Sequence, residues 1–200
     1  MSTSNLIRTG GGLASAAAGI LLLLGHLLDL GGETEYGTVL GGALVLAAHL
    51  VLVFGLVALW AAQSERSGIL GVLGMIFGVA GTTLVCGVVL VEVAGASGAE
   101  VDAVLGAGLP AALALLAGLS FLIGLILFGV ATMLAGVFPR WAGLLLIAGD
   151  VVFGLGSFAG SAATVFEILG AAITCAAFVW LGASLLSGGG AAAGQPARVG

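Results

Sequence analysis

Apolar runs about 20 residues long, each enough to cross a hydrocarbon core of roughly 30 Å, recur along the chain from residue 11 to residue 186. No fold in water buries so many of them. The chain is 61% hydrophobic and 6% charged, whereas a water-soluble domain carries about 25% charged residues. In hydrocarbon every backbone N–H and C=O must be satisfied within the chain, which favours helices for runs of this length. The expected fold class is therefore all-α, a polytopic membrane protein with a bundle of six transmembrane helices. Their expected positions are roughly 11–30, 39–62, 68–94, 111–137, 141–160 and 162–186.

The connections between these spans read GGETEYGT, QSERSG, GASGAEVDAVLGAGLP, FPRWAG and a tight turn near SFAGSAA. Residues 1–186 form one expected membrane domain, and the Gly/Ala-rich stretch SGGGAAAGQPARVG (187–200) reads as a flexible tail. Near the amino terminus, Arg8 followed by LASAAAGILLLLG has the charged and apolar parts of a signal peptide. The apolar run continues through GHLLDL without a small-x-small cleavage site, so an uncleaved first helix is expected.

Charge sets the expected orientation. All four basic residues are arginines, and with the amino terminus in the cytoplasm Arg8, Arg66, Arg140 and Arg198 fall on the cytoplasmic side. Glu33, Glu35, Glu100 and Asp102 fall outside. Trp60, Trp141 and Trp180 lie near cytoplasmic helix ends, where amphipathic rings favour the headgroup layer. Both termini are thus expected in the cytoplasm, in the multi-pass pattern of a bacterial or archaeal cytoplasmic membrane protein. The net charge of −5 is gathered in loops and helix ends, and no basic patch exists to hold nucleic acid.

Helical spacing assigns the polar residues to faces. Gly12, Ser15, Gly19, Leu22, His26 and Asp29 share one stripe of the first span. Gly71, Gly74, Gly78, Gly81, Val85, Val88 and Glu92 share one of the third. Glu167, Gly170, Ala171 and Thr174 lie together in the sixth, and Gly143, Asp150, Gly154, Ser157 and Ser161 in the fifth. Small, polar faces such as these pack against other helices and away from lipid. The segment SGILGVLGMIFGVAG (67–81) also aligns with AGLLLIAGDVVFGLG (142–156), matching Gly68, Gly74 and Gly81 to Gly143, Gly149 and Gly156, with Met75 in the place of Asp150. This echo points to a parallel repeat of a helical hairpin.

A charged side chain at the bilayer centre costs at least about 2.5–3.5 kcal/mol on insertion scales, so Asp150 asks for a reason. At about 1.5 Å per residue it lies roughly 15 Å beyond Arg140, and His49 reaches a similar depth from the other side. Two readings stand level. In one, Asp150 holds a proton and yields it when water or a cation arrives, with His49 as partner. In the other, it hydrogen-bonds a neighbouring helix and fixes packing. Asp29, Glu92 and Glu167 are nearer the outer ends and line an acidic mouth, although solvated helix ends account for them more simply. His26 and Asp29, three residues apart, can pair locally.

Metal, haem and enzyme chemistry find little support. His26 and His49 have an estimated depth difference of about 9 Å, which does not suit axial haem ligation. The set His26, Asp29, Glu92 and Glu167 has no diagnostic metal spacing, and Cys86 and Cys175 lie in apolar runs without a C-x-x-C or Cys/His pattern. No cofactor or metal is expected. H-E-x-x-H, G-x-S-x-G and P-loop motifs are absent, and the lone mid-membrane aspartate lacks the second one that an intramembrane aspartyl protease needs.

His49, the stretch LWAAQSERSGILG (59–71) with Gln63, Glu65 and Gly71, Glu92 in VLVEVAG, and Pro139, Arg140, Trp141 and Gly143 of FPRWAG resemble a group of small polytopic bacterial membrane proteins from high-GC genomes. The resemblance covers roughly 5–160 and implies a helical membrane fold without an assigned chemistry. Asp150 lies outside the resembling motifs. Two functions remain. One is a small carrier or channel-like protein for protons, cations or a small solute, using Asp150 and His49 with Asp29, Glu92, Glu167 and His26 toward the mouth. The other is a non-catalytic membrane subunit or scaffold whose polar residues tie helices together. The expected partners are the bilayer, a small solute or ion, and a second copy or another membrane subunit on the glycine faces.

Overall fold

The computed structural model describes residues 3–188, so the expected tail lies outside the described residues from 189 onward. Helix α1 spans Thr3–Asp29. Helix α2, Val39–Ala96, opens on Thr38, whose Oγ1 accepts from the Gly41 N–H at 2.9 Å and so satisfies a first-turn donor. Its 58 residues would measure about 87 Å if straight, nearly three hydrocarbon thicknesses. The helix instead breaks at Gly68 (φ 55, ψ −156), a conformation essentially restricted to glycine. The chain then folds back on itself. Gly42 meets Val93, His49 meets Thr82 and Gly78 meets Leu56, the contacts of an antiparallel hairpin. Among the described residues five helices are long and apolar enough to cross a membrane, and α2 contributes an arm on each side of Gly68.

QSERSG, expected as a connection, is a correction. Residues 63–67 remain helical and one glycine makes the turn. The reason is facial: Gln63 and Ser67, one turn apart, are buried, while Glu65 and Arg66 are exposed. A polar segment with that pattern satisfies a helix, and only one residue has to leave it.

Helix α3 (Asp102–Gly106) is a short turn in the loop before α4 (Gly108–Ala135). Gly136, left-handed at φ 62, ends α4, and Phe138 folds back from the turn into the core at 3% exposure. Helix α5 covers Arg140–Leu155, two 3-10 turns cover Gly156–Phe158 and Gly160–Ala162, and α6 runs from Ala163 to Leu186. The fifth span thus stops short of the expected residue 160, at the tight turns that Gly156 and Gly160 (φ 53) permit. Asp150 lies ten residues after the start of α5 and five before its end, about 8 Å from that end by helical rise. Ser157 and Ser161, beyond the helix, are exposed and do not extend its face.

Backbone-to-backbone packing holds the helices together. An added Cβ at Gly124 of α4 would lie 2.2 Å from Gly78 N, and one at Gly74 would lie 2.6 Å from Phe128 N. Similar approaches join α1 to the first arm of α2 (Gly55 on Ser15), α1 to α6 (Gly19 on Cys175), α4 to α5 (Gly129 on Gly143) and α5 to α6 (Gly149 on Thr174). The internal echo acquires structural content here. Gly74 and Gly81 seat the helix that follows them, α4, and Gly149 and Gly156 seat the one that follows them, α6. Inside, Leu56, Leu59, Leu125, Phe128, Leu146 and Phe178 form the main core. Outside, Phe54, Leu109 and Leu134 are at least 70% exposed, an apolar surface suited to acyl chains.

Candidate functional site

The two ends of the bundle differ in charge. Arg8 lies at the start of α1 beside Gly188, Arg66 beside the Gly68 elbow, and Arg140 at the start of α5, all at one end. Trp60, Trp141 and Trp180 belong to the same end, the last two substantially exposed. The opposite end holds the loops with Glu33, Glu35, Glu100 and Asp102. There the Tyr36 hydroxyl donates to Asp102 Oδ1 at 2.5 Å, joining the α1–α2 loop to the α2–α4 loop. That bond, with lesser effects of desolvation and Glu35, pushes the Tyr36 phenol up to about 12.

Asp29, Glu92 and Glu167 come together at this acidic end, from the end of α1, the last turns of α2 and the start of α6. Their charges act on one another. All three are half-buried. Asp29 has a defined structural task as well. Its Oδ1 accepts from Thr38 N at 2.9 Å and from Thr38 Oγ1 at 3.4 Å, fastening the end of α1 to the cap of α2. His26 packs its ring against Phe153 of α5 at a tilt of 58°, with centroids 5.0 Å apart, and lies within electrostatic reach of both Asp29 and His49.

His49 is buried in the α2 hairpin. Its Nδ1 lies 2.7 Å from Thr82 Oγ1, whose hydroxyl also lies 3.3 Å from the His49 carbonyl oxygen, and Phe121 packs edge-on at 5.2 Å. The hydroxyl has one proton. Given to the carbonyl, it makes Nδ1–H the donor and leaves Nε2 as an acceptor; given to Nδ1, it puts the ring proton on Nε2. For a neutral ring the hydroxyl therefore selects the tautomer. A crevice beside it, lined by Ala18, Leu22, Ala48, Leu52 and Phe178, is too narrow for a water molecule.

Asp150 stands apart from both groups. It is 5% exposed, and its Oδ2 is buried without a hydrogen-bond partner among the described residues. Neighbouring Gly149 seats Thr174 of α6, and Gly154, one turn on, faces Leu122 of α4. The polar contacts of His49 are to Thr82, so the structure does not join His49 to Asp150 as the sequence pairing had them.

Two buried polar ties escaped the sequence reading. Gln63 Nε2 donates to Thr132 Oγ1 at 3.1 Å, linking α2 to α4, and Ser15 Oγ donates to the Phe178 carbonyl at 2.8 Å, linking α1 to α6. The available signal was positional: Gln63 continues the His49, Leu52, Leu56, Leu59 stripe at helical spacing.

No family model, curated protein or solved structure matches this chain.

Proposed function

We propose that this chain is a six-crossing membrane protein, with both termini in the cytoplasm, that carries protons, cations or a small solute through its bundle. The observation that supports this is the Asp150 carboxyl, buried with one oxygen unpartnered among the described residues in a helix that is otherwise apolar or small after its first residue, Arg140. A group so placed is costly to hold in hydrocarbon and is by default a functional one. In this reading Asp29, Glu92 and Glu167 draw cations toward the acidic mouth, His26 and His49 continue the polar path inward, and Asp150 takes up and releases the transported charge. Arginines gathered at the opposite end support the cytoplasmic assignment of that end.

A second reading, a scaffold or subunit of a membrane complex, is favoured by the close glycine packing and by the lack of room for water beside His49. Flux separates the two. Wild type and Asp150→Asn are reconstituted in liposomes and driven by pH or cation gradients; asparagine keeps the shape and polarity but cannot ionise. Carriage through Asp150 predicts flux in the wild type and its loss in the folded variant. An absence of flux in both proteins across a panel of ions supports the scaffold, and equal flux in both removes Asp150 from the path.

A further inference from the structure

The elbow of α2 carries a second group of unsatisfied polar atoms, on different helices from Asp150. Gln63, 1% exposed, gives Nε2 to Thr132 and leaves Oε1 buried without a partner among the described residues. One turn later Ser67, 6% exposed, has a buried Oγ that also lacks a partner there. The two share one face of the first arm, a turn apart, on the side that meets α4. The position a Cβ would take on Gly71 lies 2.1 Å from Ser67 Oγ and 3.8 Å from Ala131 Cβ, and Thr132, next to Ala131, receives the Gln63 bond.

The chemistry of this group is uniform. The side-chain atoms with spare capacity are neutral oxygens: Gln63 Oε1, Ser67 Oγ and the second lone pair of Thr132 Oγ1. The first arm of α2 stops at Ser67, so its last carbonyls, the negative pole of its dipole, gather at the same elbow. Glu65 and Arg66 flank it with opposite charges and are both exposed. A divalent ion would call for carboxylates, whereas a singly charged hard cation is served by neutral oxygens and a helix C-terminus.

We infer that the underside of the Gly68 elbow binds a monovalent alkali cation through Gln63 Oε1, Ser67 Oγ, Thr132 Oγ1 and the terminal carbonyls of the first arm. The cation clamps the two arms and α4 at their common end. This site is separate from Asp150 and does not depend on transport.

The full chain in nanodiscs tests it. Unfolding midpoints are measured in sodium, potassium and choline chloride at equal ionic strength, for wild type, Ser67→Ala and Gln63→Met. The expected result is a saturable rise with sodium or potassium over choline in the wild type. Apparent affinity then falls at least tenfold in Ser67→Ala and is lost in Gln63→Met. Ser67→Ala deletes a buried hydroxyl that has no protein partner among the described residues, so its folding is not at risk, and it decides the matter if Gln63→Met misfolds. Identical midpoints in all three salts, or an undiminished response in Ser67→Ala, overturns the proposal.

Discussion

His49 Nδ1 and Thr82 Oγ1 are 2.7 Å apart although both belong to one 58-residue helix. Only a helix doubled back on itself brings them together, so this contact reports the hairpin directly. Thr82→Val keeps the side-chain shape and removes the hydroxyl. The expected loss is about 0.6 kcal/mol, and at most about 1.7 kcal/mol, the range of hydrogen bonds between membrane helices. Thr82→Ser, which keeps the hydroxyl, should lose less. Unfolding in increasing SDS fraction measures both, and equal stability of Thr82→Val and wild type would mean that the bond contributes nothing.

The close approach of α4 to the second arm of α2 makes a sharper forecast. At Gly124 an added methyl would meet the backbone of Gly78, which cannot rotate away. Gly124→Ala should therefore destabilise by about 1–3 kcal/mol, the usual cost of overpacking. Gly118→Ala, on the exposed face of the same helix with nothing within 4 Å, should stay near wild type. The same SDS titration compares them, and a similar loss at both positions would argue against the packing described.

Tyr36 is the one tyrosine of the chain, so its ionisation can be read without interference. Absorbance near 295 nm should give a midpoint near 12, returning toward 10.0 in Asp102→Asn. The sign follows from the raised value. Whatever the bond adds to loop order is fully present below the ordinary tyrosine range and is lost as pH climbs through about 12. A wild-type midpoint at 10.0 would mean that the two loops are not joined.

Much of this architecture was legible in the chain because membrane helices announce themselves by length and apolarity. The first-span stripe from Gly12 to Leu22 is buried as its spacing required, and so are Gly71, Gly74, Gly78 and Gly81. The elbow was not legible. Five polar residues in QSERSG look like a loop to a composition argument, whereas the facial separation of Gln63 and Ser67 from Glu65 and Arg66 is a helical pattern ended by one glycine. The end of the fifth span was misplaced for a related reason. Residues 156–162 are apolar and small enough to extend a span, yet they form tight 3-10 turns that end α5 early. Pairings between distant helices, such as Gln63 with Thr132, carry no signature within one sequence.

The central claim is that six crossings place the arginine end of the bundle on one side of the membrane and the acidic loops on the other. It is tested most directly by single cysteines at Glu35, Arg66, Glu100 and Arg140, all exposed, in a background lacking Cys86 and Cys175, treated with a membrane-impermeant maleimide on intact cells. The account predicts labelling at 35 and 100 on intact cells, and at 66 and 140 only after permeabilisation. Labelling that places 66 and 140 on opposite sides would contradict it.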